Sequence, residues 1–131
     1  MKTTVIVVRV LTSLLGLSLL TLGILFWLGR ALNLLNVHMA LGILLVLCLW
    51  LLVVLAFRAR VSTGFTLLVL AWSLLMPWFG DIQMQLLPGP YHWVIRTLHL
   101  LIGFAAVGLG HLLARRLMTP EAPSSARAEH A

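Results

Sequence analysis

Four long apolar runs constrain this chain more than anything else in its sequence. They cover 5–28, 31–57, 62–79 and 91–114, each about 18 to 27 residues, and a helix needs roughly 20 to cross the hydrocarbon core of a bilayer. Lipid offers the backbone no water to bond, so an isolated spanning segment has to be helical. The expected fold is all-α: an integral membrane four-helix up-down bundle forming one domain over 1–118. A soluble domain of 131 residues, 62% hydrophobic and 9% charged, would have nowhere to put that apolar surface. The first run is too long for a signal peptide and lacks a small-x-small cleavage site.

The connections Gly29-Arg30 and Arg58-Ala59-Arg60-Val61 leave room only for tight turns, which makes the helices they join antiparallel. The third connection, Asp81 to Pro90, is longer. Residues 119–131, TPEAPSSARAEHA, are small, polar and proline-containing, and read as a disordered cytoplasmic tail. Lysine and arginine set the orientation. Lys2, Arg9, Arg58, Arg60, Arg115 and Arg116 fall on one side, against Arg30 and Arg96 near the other, so both termini are expected in the cytoplasm. Trp27, Trp78 and Trp93 fall near the outer boundary, where indoles prefer the interface, whereas Trp50 and Trp72 lie deeper, as packing residues do.

The formal charge of +6 does not signal nucleic acid, because the basic residues sit at the ends of apolar runs and form no stripe on a polar face. Cys48, the one cysteine, lies inside an apolar run, so neither a disulfide nor a cysteine metal cluster forms within one chain. The acidic residues are Asp81, Glu121 and Glu129, which argues against paired-carboxylate catalysis and acidic proton relays. The shortage of buried acids also counts against a transporter or channel.

A short pattern occurs twice. Trp27-Leu28-Gly29-Arg30 precedes His38-Met39-Ala40-Leu41-Gly42, and Trp78-Phe79-Gly80-Asp81 precedes His99-Leu100-Leu101-Ile102-Gly103. This is consistent with an internal repeat of two helices plus two, about an axis normal to the membrane.

Histidine within a span is costly and points to a site. Counted from Ala31 and Tyr91, His38 and His99 lie seven and eight residues into their helices, about 10–12 Å below the outer surface in both cases. If the second and fourth helices face each other, two imidazoles at one depth can ligate one iron axially. Gly42 and Gly103 stand one turn below each histidine on the same face, where a flat ring would come close to the backbone. Arg96, one turn above His99, suits a haem propionate, and His92, a further turn out, could serve a second propionate or a quinone headgroup. Each residue also has a plainer role: histidine bonding a neighbouring helix, glycine at a helix crossing, Arg96 snorkelling to headgroups, His92 at the surface. His111 lies twelve residues beyond His99, about 18 Å toward the cytoplasm, and Trp50, Leu51 and Leu52 occupy its level on the second helix. One haem is therefore expected, with His111 interfacial. Without a cysteine or carboxylate beside the two histidines, other transition metals are disfavoured.

These stretches, VHMALGILLVLCLW in the second helix, LLMPWFG closing the third and HWVIRTLHLLIGFAAVGLGHLLARR in the fourth, resemble the cytochrome b561 superfamily and related four-helix membrane b-type cytochromes. The bacterial branch is similar in its Pro-x-x-Gly near the end of the third helix (here Pro77 to Gly80) and in a histidine-bearing fourth helix that ends near basic residues. The likeness covers about 80 residues, Val37 to Arg116. It implies haem b, bis-histidine ligation and electron exchange with quinol, ascorbate or a redox partner, in a bacterial inner (cytoplasmic) membrane. The chain departs from the family in having no histidine in its first helix, where members commonly hold two haems with more histidines. One haem near the outer face would not by itself carry electrons across the membrane. The expected function is a b-type cytochrome passing electrons between quinol and a redox partner protein, in a larger membrane complex. The alternative is a non-redox accessory or assembly subunit of such a complex.

Overall fold

A computed structural model of the chain describes residues 1–119, so the tail expected at 119–131 lies, apart from Thr119, outside the described residues. Four helices account for nearly all of it: α1, Lys2–Trp27; α2, Leu35–Arg58; α3, Thr63–Ile82; and α4, His92–Met118. Single 3-10 turns, Leu32–Leu34 and Gln83–Gln85, precede α2 and follow α3. There is no strand among the described residues. All four helices are long and apolar enough to cross a membrane, and the chain has the make-up of a multi-pass membrane protein.

The helix bounds differ from the hydropathy bounds for physical reasons. α3 continues through Pro77 to Ile82. Proline there removes the backbone donor that would bond the Ser73 carbonyl, a defect a helix tolerates when its neighbours hold it in place. The start of the second apolar run is a turn: Gly29 and Ala31 have φ of +70° and +55°, and the 3-10 turn intervenes before α2 begins. Both tight connections close alike. Arg30 N–H donates to the Leu25 carbonyl at 2.8 Å around left-handed Gly29, and Val61 N–H donates to the Ala56 carbonyl at 3.0 Å around left-handed Arg60. These are Schellman-type ends, the second built without the usual glycine.

α1 and α3 each pack on both α2 and α4, and α2 meets α4 across the centre. α4 brings Ile102, Ala106, Gly110 and Ala114 inward at four-residue spacing, and α2 meets it with Leu45, Leu49, Leu52, Val53 and Ala56. Small residues at that spacing let two backbones come close in lipid, where packing contacts drive helix association. A Cβ on Gly110 would lie 2.6 Å from Leu49 Cδ2 and 3.5 Å from Thr12 Cγ2. Gly110→Val is accordingly expected to destabilise the bundle by about 1–3 kcal/mol, read from unfolding in a mixed detergent and denaturant titration. An unchanged midpoint would show that this crossing is not close.

The distribution of polarity is the reverse of a soluble bundle's. Large apolar side chains such as Leu17, Leu101 and Phe104 are about two-thirds exposed, at 63%, 60% and 69%. Thr12, Thr66 and Ser73 are fully buried, each donating its hydroxyl to a carbonyl of its own helix, of Val8, Ser62 and Leu70. Two indoles tie helices together. Trp50 Nε1 donates to Ser73 Oγ at 2.9 Å, joining α2 to α3, and Trp72 Nε1 donates to the Ile102 carbonyl at 3.0 Å, joining α3 to α4.

Candidate functional site: a histidine pair at the head of an apolar cavity

A half-open cavity of about 880 Å³ lies between the helices, with lining residues from all four. Its volume lies within the range of about 300–1,000 Å³ usual for small-molecule and cofactor sites. His38 and His99 stand at one end of its lining and Ser13 and His111 at the other, so it covers about 18 Å of helix length. The lining between them is apolar.

His38 and His99 come together across the α2–α4 diagonal, their ring centroids 6.4 Å apart and their planes inclined by 43°. Two imidazoles bound to opposite sides of one metal ion, with metal–nitrogen bonds of about 2 Å, have centroids roughly 6–6.5 Å apart. The observed centroid spacing falls in that range. Nδ1 of each ring is buried without a hydrogen-bond partner. Such groups are exceptions that call for an explanation, because burial without a partner costs roughly 1–3 kcal/mol each. A neutral imidazole with a free nitrogen is also the commonest protein ligand for transition metals.

Aromatic rings hold both imidazoles from behind. Phe26 meets His38 edge-on with centroids 5.4 Å apart, and Phe79 stacks on His99 at 6.1 Å and 15°. Gly80 lets α3 lie against His99: a Cβ there would sit 3.4 Å from Cε1 of the imidazole. None of these three contacts is visible in the apolar pattern. The Phe79-Gly80 pair, placed where α3 meets α4, was the available signal.

Gly42 and Gly103 both line the cavity, and an added Cβ on either would meet nothing within 4 Å. They therefore widen the cavity below the histidines and do not serve as points of helix contact. Arg96 and His92 lie elsewhere. Arg96 is exposed and outside the lining. His92 places Nδ1 3.2 Å from the Leu86 carbonyl, leaving Nε2 buried and unpartnered, and it too is outside the lining.

Asp81 and Gln83 line the cavity near the histidine pair, because α3 runs on past Gly80. Even so, no three histidine, cysteine, aspartate or glutamate side chains gather within reach of one ion among the described residues.

His111 has a different environment. Arg9 Nε donates to its Nδ1 at 3.3 Å, and its Nε2 lies 3.1 Å from Ser13 Oγ, whose proton goes to the Arg9 carbonyl at 3.2 Å. Accepting at Nδ1 makes Nε2 the protonated nitrogen of a neutral ring. Both nitrogens are engaged, and the trio ties α1 to α4. Its sequence signal was a second polar residue, Arg9, as far from the start of α1 as His111 is from the end of α4.

Compared with models of protein families, with curated proteins and with solved structures, the chain matches none.

Proposed function

We propose that this chain is a small membrane b-type cytochrome that holds one haem between His38 and His99 and passes electrons between quinol and a redox partner protein. The observation that carries the reading is the imidazole pair 6.4 Å apart, each ring with an unpartnered buried nitrogen, at the head of a cofactor-sized cavity. Bound haem b would supply a reversible one-electron couple.

The chain's own residues do the rest. His38 and His99 provide neutral nitrogen donors from two helices, and neither needs to lose a bond to the protein in order to ligate. Phe26 and Phe79 restrict how far each ring can turn. Gly42 and Gly103 keep the helix surfaces flat where a planar group would lie. Leu19, Leu20 and Leu45 give the same cavity apolar walls. Arg96 belongs to this reading as a long side chain one turn from His99 that can swing toward a propionate, whereas His92, with its Nδ1 proton taken by the Leu86 carbonyl, offers only an acceptor nitrogen and is left out of it. The remaining elements of the reading are an up-down order of helices, descent from a two-helix repeat, and a place in a bacterial inner membrane with both termini cytoplasmic. The lysine and arginine distribution and the recurring Trp-x-Gly and His-x-x-x-Gly patterns support them.

An optical spectrum tests the reading. Protein purified from cells supplied with haem and reduced with dithionite is expected to show the sharp alpha band of a six-coordinate b haem. A colourless preparation would overturn the proposal and leave the accessory-subunit alternative. His111→Ala is expected to keep one haem per chain by pyridine haemochrome assay, since both ring nitrogens are already bonded. Two haems per wild-type chain, falling to one in that variant, would make His111 a ligand.

A further inference from the structure

We propose that the end of the bundle where α1 and α3 begin and α4 ends holds one anionic phospholipid, its phosphate seated among Lys2, Arg115 and Arg116. A second cavity, of about 690 Å³, opens there, with these three side chains in its lining and, among the described residues, no acidic one. The α2–α3 turn closes one side through Ala59, Val61 and Ser62. Leu112, Leu117 and Met118 give it an apolar floor.

One of the three charges is held in place. The Arg116 guanidinium lies 3.8 Å over the Phe65 ring, a cation–π contact that leaves its N–H edge free for a phosphate oxygen. The N-termini of α1 and α3 and the C-termini of α2 and α4 share this end, so the helix dipoles offset one another and the positive charge of the site is that of its side chains. A free phosphate would use only the charges. A lipid uses the charges and the apolar floor together, and basic pockets between spanning helices at a headgroup level are sites of that kind. The inference rests on the helices spanning a membrane and is independent of haem.

Arg58 and Arg60 supply the control. They flank the same turn but do not line the cavity, so R58Q/R60Q removes the same two charges as R115Q/R116Q from the same end of the molecule. The full chain is reconstituted in phosphatidylcholine vesicles containing phosphatidylglycerol, extracted in mild detergent, and weighed by native mass spectrometry. One phosphatidylglycerol per chain should be retained, with no phosphatidylcholine. R115Q/R116Q should lower retention about tenfold or more and R58Q/R60Q by less than about twofold, while the charge-keeping R115K/R116K retains the lipid. Equal losses in the two glutamine doubles would mean a diffuse surface field and overturn the site. Loss in R115K/R116K would show that charge is not the cause, with the same consequence. Displacement of the lipid by millimolar inorganic phosphate would assign the site to free phosphate instead.

Discussion

His38→Ala and His99→Ala are each expected to yield a bundle that folds but holds less than about a tenth of the wild-type haem, measured by pyridine haemochrome assay against protein concentration. Among the described residues each ring is one of two candidate ligands, and no third histidine, cysteine, aspartate or glutamate gathers with them about one point. The variants should not lose stability along with colour. Each substitution removes a buried imidazole nitrogen that has no partner, so the haem-free variants should be as stable as haem-free wild type or more stable by roughly 1 kcal/mol. Circular dichroism and unfolding of haem-free samples separate the two effects. Wild-type haem content in either variant would remove that histidine from the site.

The second large effect is expected at the glycines. Gly42→Leu and Gly103→Leu put a branched side chain into space where an added Cβ now meets nothing within 4 Å, on the wall of the cavity. Haem content should fall about tenfold or more, because the space is filled and the helix surface is no longer flat. The helix itself gains: leucine in place of an interior glycine favours a helix by roughly 0.5–1 kcal/mol. Stability and haem content should therefore move in opposite directions. Gly23→Leu is the control, since Gly23 is equally open but does not line the cavity, and its haem content should stay at the wild-type level. If all three variants lose haem alike, the loss is not steric. If none does, nothing planar lies along that wall.

Much of the fold is legible in the residue order. Span number and approximate length follow from hydropathy, and the positions of Gly29 and of Arg58 to Val61 announce the two tight turns. The common depth of His38 and His99 is legible too, although the count from Ala31 started in a turn. With the 3-10 turn Leu32–Leu34 rising about 2 Å per residue, His38 and His99 both lie roughly 10 Å from where regular structure begins. The run of α3 beyond Phe79 to Ile82 was hidden, because Gly80 and Asp81 are ordinary turn residues and only packing on the neighbouring helices keeps this one going. That extension brings Gly80 against His99 and Asp81 to the cavity. Arg96 shares a helical stripe with His99, yet sharing a stripe does not bring a side chain into a cavity.

The apolar runs, by themselves, determined that the chain makes four membrane-length helices, because in lipid an unbonded backbone costs too much for any other outcome. They also limited the candidate ligands to a few histidines. The tertiary structure alone decided that His38 meets His99, that His111 bonds Arg9 and Ser13, and that Gly42 and Gly103 face open space while Gly110 presses on Leu49. The reason is physical. A helix apolar on every side has no polar face to indicate which way it turns. Its rotation is set by the fit of small residues against large ones on its neighbours, a property of pairs of helices that no single run of sequence contains.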